Sequence, residues 1–127
     1  MARTITGLDH VQVAAPPGCE EEARWFYGRL LGLEEIPKPE PLAAAGGVWF
    51  ACGANELHVG VTTSFVAADK AHPALRVADA AALDELAARL RAAGAPVESD
   101  GRFPGRRRFL ARDPWGNRLE LVALSGS

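Results

Sequence analysis

The chain has 127 residues, of which 48% are apolar, and its 14 basic and 16 acidic residues give a formal net charge of −2. This length predicts one domain, the apolar fraction is enough for a hydrophobic core, and the charge excludes the basic surface of a nucleic-acid-binding protein. Two cysteines, Cys19 and Cys52, are too few for a disulfide framework or a cysteine zinc site. Because neither a signal peptide nor a membrane-length apolar run is visible, we expect a cytoplasmic protein with no membrane partner.

The first half of the chain predicts a strand, a helix and three further strands. Apolar and polar residues alternate over residues 7–13, which is the period of a strand. A helix is predicted from about residue 19 to 31, with acidic residues in its first turn and Gly32 as its C-terminal cap. Residues 37–47, rich in Pro, Ala and Gly, predict a loop. The remaining strands are predicted at residues 33–37, 48–52 and 56–61.

The second half repeats this order of elements. Asp79 predicts the N-terminal cap of a helix over about residues 80–93, with apolar residues at three- and four-residue spacing, and Gly94 ends it. Residues 113–117 form a turn signal between the last two strands. The strands of this half are predicted at residues 72–77, 97–99, 107–111 and 118–122.

Matching residues in the two halves lie 62 positions apart. The pairs are His10 and His72, Gly32 and Gly94, Asn55 and Asn117, Leu57 and Leu119, and His58 and Glu120. A common offset for helix-ending glycines, turn asparagines and strand residues indicates a duplicated structural unit. The chain is therefore predicted to be a single domain of two strand–helix–strand–strand–strand modules, module one at residues 1–64 and module two at residues 65–127.

All three histidines of the chain and one glutamate occupy equivalent positions in the two modules. His10 and His72 lie in the first strand of each module, and His58 and Glu120 lie in the last. If the alternating apolar residues pack against the helices, these four side chains project from the opposite face and can converge. Imidazole and carboxylate are ligands for divalent Fe, Mn, Co, Ni or Zn. His10, His72 and Glu120 would supply a facial triad, and His58 would be a fourth ligand or a nearby acid or base.

Other residues near these four are candidates for binding a substrate. Arg76 shares the strand face of His72 and could hold a substrate carboxylate, although a solvated strand arginine would give the same pattern. The basic run at residues 106–108 is predicted to be a solvated strand edge, since alternation sends neighbours to opposite faces. Glu56 shares the face of His58, but choosing it instead would break the 62-residue offset. The predicted pocket residues are Gln12, Trp49, Arg76 and Phe103, the last in a candidate lid loop.

Six segments carry a family resemblance that extends over nearly the whole chain. They are Leu8-Asp9-His10-Val11, Trp25-Phe26-Tyr27, Leu31-Gly32-Leu33, Glu56-Leu57-His58-Val59, Ala71-His72-Pro73-Ala74-Leu75 and Arg112-Asp113-Pro114-Trp115-Gly116-Asn117-Arg118-Leu119-Glu120-Leu121. With these motifs the sequence resembles the vicinal oxygen chelate superfamily, which includes glyoxalases, bleomycin-resistance proteins and extradiol dioxygenases. The resemblance implies an α+β fold in which two βαβββ modules form an open, cupped mixed sheet with helices on the outside.

The same resemblance implies one divalent metal ion per site, held by His10, His72 and Glu120. His58 matches the fourth position, where glyoxalase I is expected to carry a glutamate. The implied function is an enzyme that chelates two neighbouring oxygens of a small substrate to the metal, as a lyase, isomerase or ring-cleaving dioxygenase, with His58 and Glu120 as catalytic residues. The alternative is a metal-free protein that binds or sequesters a small molecule, as bleomycin-resistance proteins do.

A homodimer is expected, because eight short strands in an open cup leave sheet edges that need cover. The resemblance allows two arrangements of the modules. The two modules of one site can belong to a single chain or to the two chains of the dimer.

Overall fold

The structure, a computed structural model, describes residues 3–124. Each half of this range contributes four strands and one main helical segment. The first half also contains a π-helical stretch (Arg24–Leu30) that continues α1, and a short 3-10 helix (Leu42–Ala45). The elements are β1 (His10–Ala15), α1 (Glu20–Ala23), β2 (Glu34–Ile36), β3 (Val48–Cys52), β4 (Asn55–Val61), β5 (Ala74–Arg76), α2 (Ala80–Ala92), β6 (Val97–Ser99), β7 (Arg106–Arg112) and β8 (Arg118–Leu124).

The strands form two four-stranded mixed sheets of the same topology. The first has the order β1-β4-β3-β2 and the second the order β5-β8-β7-β6. In each sheet the first and last strands of the module are parallel, and Gln12 pairs with His58 as Ala74 pairs with Glu120. Both members of the second pair lie 62 residues after those of the first. The predicted α+β fold of two βαβββ modules is confirmed.

The first helical segment and strand β5 differ in detail from the prediction. Only the first turn of the predicted helix is α-helical; in the π-helical stretch that follows, Leu31 N–H donates to Phe26 O five residues earlier, at 2.9 Å. Apolar residues at three- and four-residue spacing fit both an α-helix and a short π-helical stretch, so this pattern does not distinguish the two. Strand β5 begins at Ala74 rather than at residue 72, because Pro73 has no N–H to donate to the sheet. His72 therefore precedes its strand.

One hydrophobic core joins both modules. It includes Phe26 and Tyr27 of the π-helical stretch, Phe50 of β3, Leu90 of α2 and Leu119 of β8, each at most 1% exposed. The apolar face of α2 is buried as predicted, and the Asp79 carboxylate accepts from Ala82 N–H at 2.8 Å. Because both helical segments pack on this core, the polar face of each sheet is left for a site. None of the helices in residues 3–124 has the length and apolar character that crossing a membrane requires.

A buried carboxylate in the turn before β8 connects the two modules. Asp113 accepts hydrogen bonds from the Tyr27 hydroxyl (2.8 Å), the Trp115 and Asn117 backbone N–H groups and the Asn117 side-chain amide. The Asn117 amide also donates to Ala14 O at the end of β1, at 2.7 Å. Burial raises the pKa of Asp113, and the hydrogen bonds from Asn117 and Tyr27 oppose that rise. The turn predicted over residues 113–117 is thus also a contact between modules.

The Tyr27→Phe variant tests this contact. It removes one hydrogen bond to a buried carboxylate without leaving a cavity, so the free energy of unfolding in urea should fall by about 1.5–3 kcal/mol at neutral pH. The hydroxyl lowers the pKa of Asp113, so its contribution is present at neutral pH and is lost as Asp113 becomes protonated. The difference between variant and parent should therefore shrink in acid; a difference that is small at neutral pH or grows in acid would contradict the contact.

Candidate metal centre

Three aromatic rings are stacked on the polar face of the first sheet. The His58 ring lies between Trp49, at 3.8 Å between ring centroids and 1° between planes, and His10, at 4.2 Å and 18°. The register explains this stack, because Trp49 of β3 pairs with His58 of β4, and His10 lies two residues before Gln12, the β1 partner of His58, on the same strand face. His58 is only 4% exposed. Its neighbours thus hold the ring in one orientation.

The two histidines of this stack have different nitrogens engaged. His10 Nδ1 lies 2.8 Å from Asp9 Oδ1, and since a carboxylate accepts, Nδ1 is the donor; in the neutral imidazole the Nε2 lone pair is then available. In His58 the engaged nitrogen is Nε2, which lies 2.8 Å from Glu56 Oε1. A metal ion lies in the plane of each imidazole that binds it. Nearly parallel rings do not point at a common ion, so this arrangement does not present His10 and His58 as joint ligands.

His72 and Glu120 form a second pair on the polar face of the second sheet. His72 Nδ1 lies 2.8 Å from Lys70 O, and since a carbonyl oxygen only accepts, this nitrogen carries the proton. His72 Nε2 then faces Glu120 Oε1 at 3.1 Å. Two ligands at right angles on one ion, each about 2.1 Å from it, lie about 3 Å apart. The pair therefore has the donor atoms and the spacing that a divalent cation requires.

The two pairs do not meet within one chain. Across the described range, 3–124, no three His, Cys, Asp or Glu side chains are grouped so that they could hold a metal ion. Strands β1 and β5 are the edges of their sheets, and between them lies a cleft of about 1200 Å³. Gln12, His72 and Arg76 line this cleft. The arrangement within a chain thus gives two half-sites, His10 with His58 and His72 with Glu120.

The predicted pocket residues lie at three different places. Trp49 covers His58, and Gln12 lies against Gly60, where an added Cβ would come within 2.7 Å of the Gln12 amide carbon. Arg76 is exposed at the cleft. The Phe103 ring stands over the guanidinium groups of two arginines of β7. These residues are distributed over both half-sites.

Two features of the site were not predicted from the sequence. Glu56 was not selected as a site residue, yet its carboxylate engages His58; it shares a strand face with His58, and that was the available signal. The prediction that residues 106–108 are a solvated edge is wrong for Arg108, whose side chain is 18% exposed and pairs with Glu120 and Asp100. Strand alternation directs Arg108 to the face of Glu120, while Arg107 faces Asp84.

Comparison with known proteins gives the family context of this site. A family model described as the Glyoxalase/Bleomycin resistance protein/Dioxygenase superfamily matches residues 7–121. A glyoxalase family protein from Bacillus anthracis is 50% identical with a TM-score of 0.91, over 98% of this chain and all of that one. Lactoylglutathione lyase from Agrobacterium tumefaciens is 25% identical with a TM-score of 0.69, over 95% and 96%. Among curated proteins, none matches this chain significantly.

A more distant structure shows the same fold with a ligand and a metal. A variant of the fosfomycin resistance protein FosX from Listeria monocytogenes, in complex with Mn(II) and 1S,2S-dihydroxypropylphosphonic acid, is 20% identical with a TM-score of 0.78, over 97% of this chain and 95% of that one. At this identity the likeness establishes the fold alone.

The ring stack can be tested by NMR with the Trp49→Leu variant. Ring currents from the indole face shift the carbon-bound ring protons of His58 upfield, so removing the indole should move these signals downfield. The signals of His72, in the other half-site, should stay in place and serve as the internal control. Unchanged His58 signals in a folded variant would show that the stack does not form in solution.

Proposed function

The chain belongs to the Glyoxalase/Bleomycin resistance protein/Dioxygenase superfamily, and on this premise we propose that it is a divalent-metal-dependent enzyme of the vicinal oxygen chelate type acting on a small oxygenated substrate. The observation that carries the proposal is the 3.1 Å approach of His72 Nε2 to Glu120 Oε1. With Nδ1 donating to Lys70 O, a neutral His72 would present its Nε2 lone pair to the carboxylate, and a cation bound by both groups would satisfy them.

The ligand set that we propose consists of His10, His72 and Glu120. His10 and His72 each have Nδ1 engaged by an acceptor, which leaves Nε2 on both as the ligand atom. Two imidazoles and a carboxylate suit Fe, Mn, Ni, Co or Zn. His58 has the opposite nitrogen engaged, and we therefore assign it to proton transfer instead of metal binding.

In this proposal the residues of the site have separate tasks. A divalent metal held by His10, His72 and Glu120 would supply Lewis-acid stabilisation of charge on two neighbouring substrate oxygens. His58 donates its Nε2–H to Glu56, which leaves Nδ1 to take a proton from the substrate and return it. Trp49 covers one face of the His58 ring and limits access of water to it. The His58–Glu56 pair favours lyase or isomerase chemistry, which moves a proton, over ring cleavage by a dioxygenase.

We propose that a complete site is built from two copies of the chain in a homodimer. Each chain holds both half-sites apart, so His10 and His58 of one copy would meet His72 and Glu120 of the other. A second copy can cover the open edges of β1 and β5. It can also cover the exposed apolar side chains of the cleft, Leu8 at 73% and Val66 at 85%.

The free thiols of Cys19 and Cys52 fit a reducing compartment, and we propose the cytoplasm. We also keep the module boundary at residues 64 and 65 as a proposal.

The ligand set is tested by metal content after dialysis against metal-free buffer. The His10→Ala, His72→Ala and Glu120→Ala variants should each lose most of the metal that the parent retains, because each removes one of three ligands. The His58→Ala variant should retain it and should lose proton exchange or turnover of the substrate. Full metal content in Glu120→Ala would contradict the site assignment. A parent chain that binds no divalent ion would support the small-molecule-binding alternative.

The sharing of sites between chains is tested by mixing two inactive variants. Neither His10→Ala nor Glu120→Ala has an intact site as a homodimer. After unfolding and refolding together, random pairing makes half of the dimers mixed, and one of the two sites in each mixed dimer is intact. Metal content should therefore return to about one quarter of the parent value. If each site lies within one chain, the mixture should bind no more metal than the separate variants.

A further inference from the structure

Arg108 lies beside the proposed ligand Glu120. It belongs to β7, where it pairs with Val122, and it shares a face with Leu110, the partner of Glu120. Its Nη1 donates to Glu120 Oε1 at 3.0 Å, and its Nη2 donates to Asp100 Oδ2 at 3.0 Å. One guanidinium thus connects two carboxylates whose side chains are each 7% exposed.

Asp100, the carboxylate farther from His72, is held by residues of its own surface loop. Arg102 donates to both carboxylate oxygens of Asp100, from Nε at 2.9 Å and from Nη2 at 2.7 Å, and its backbone N–H donates to Oδ1 at 3.0 Å. The Phe103 ring centroid lies 5.3 Å from Arg108 Cζ. Asp100 is thereby held in place by its own loop, and it holds Arg108 in turn. A guanidinium fixed on three sides presents Nη1 to Glu120 in one direction.

Stability of the folded chain does not by itself explain the row of charged side chains formed by Glu120, Arg108 and Asp100. Arg108 Nε is buried and has no hydrogen-bond partner among residues 3–124, which costs free energy. Replacing buried ion pairs by apolar side chains of similar volume is often neutral or stabilising. The charged row of Glu120, Arg108 and Asp100 is therefore better explained by the orientation it gives to the carboxylate at its inner end.

Two groups contact Glu120 Oε1 in this structure, His72 Nε2 and Arg108 Nη1. In the proposed metal site His72 Nε2 and Glu120 Oε1 would be neighbouring ligands, and the second lone pair of Oε1 would remain for the N–H of Arg108. Arg108 is then the group that continues to hold Oε1.

We infer that Arg108 is a positioning residue, which engages one oxygen of Glu120 and thereby presents the carboxylate to the divalent ion in a fixed orientation. The inference rests on the proposed metal site. Asp100 acts one step further out by holding the guanidinium. Partners of metal ligands commonly contribute about 10- to 100-fold to metal affinity, and Arg108 should contribute on this scale.

The test is titration of the purified metal-free protein with Co(II) alone, following the visible absorption of the bound ion. In Arg108→Gln the dissociation constant for Co(II) should rise about 10- to 100-fold, with a changed absorption spectrum. Arg108→Lys should fall between this variant and the parent, since an ammonium cannot reproduce the planar fork that bridges two carboxylates. Asp100→Asn should also weaken Co(II) binding, although it does not touch Glu120. Arg107→Gln is the matched control, because Arg107 is the adjacent arginine on the opposite face and pairs with Asp84.

Two failures are distinguishable in this experiment. If the parent binds Co(II) and a folded Arg108→Gln or Arg108→Lys variant binds it with the same affinity and spectrum, the role of Arg108 is overturned while the metal site stands. If the parent binds no Co(II), the metal site is wrong and the inference falls with it. If Arg108→Gln does not fold, Arg108→Lys and Asp100→Asn decide. A variant that only melts at a lower temperature, with unchanged Co(II) affinity, identifies Arg108 as merely structural.

Discussion

The buried carboxylate of Asp113 holds the two modules against each other. It binds the Tyr27 hydroxyl from the first module, while Asn117, bound to the same carboxylate, donates to Ala14 O at the end of β1. The free-energy cost of burying this carboxylate must be offset by hydrogen bonds from several donors. The turn, the π-helical stretch and the end of β1 must therefore keep their relative positions, and with them the strands that carry His10 and Glu120.

That packing determines what one chain can do. With the helical segments on a common core, the polar faces of the two sheets lie on the side away from the helices, and the site residues form two pairs instead of one cluster. Each pair is already oriented within a single chain. His10 and His72 have Nδ1 engaged, His58 is confined between two rings, and Glu120 is held by Arg108. A second copy would need only to bring the oriented halves together.

Much of the fold could be predicted because strand register obeys a strict two-residue period. The 62-residue offset that related His58 to Glu120 reappears as the pairing of Gln12 with His58 and of Ala74 with Glu120. The π-helical stretch could not be predicted, because its apolar spacing is also that of an α-helix. Arg108 was misjudged because alternation gives the face of a side chain but not which loop folds over it, and Asp100 comes from such a loop.

The sequence by itself determined the duplicated modules, the positions of the four metal-site candidates and the donor atoms they offer. The duplication follows from the 62-residue offset, and the strand and helix faces follow from local periodicity, which covalent geometry imposes on every strand and helix. Only the tertiary structure decided which nitrogen of each histidine is engaged, that Glu56 and Trp49 confine His58, and that the half-sites lie apart. These depend on which atoms of distant segments come within hydrogen-bond or stacking distance, and local periodicity does not encode such distances.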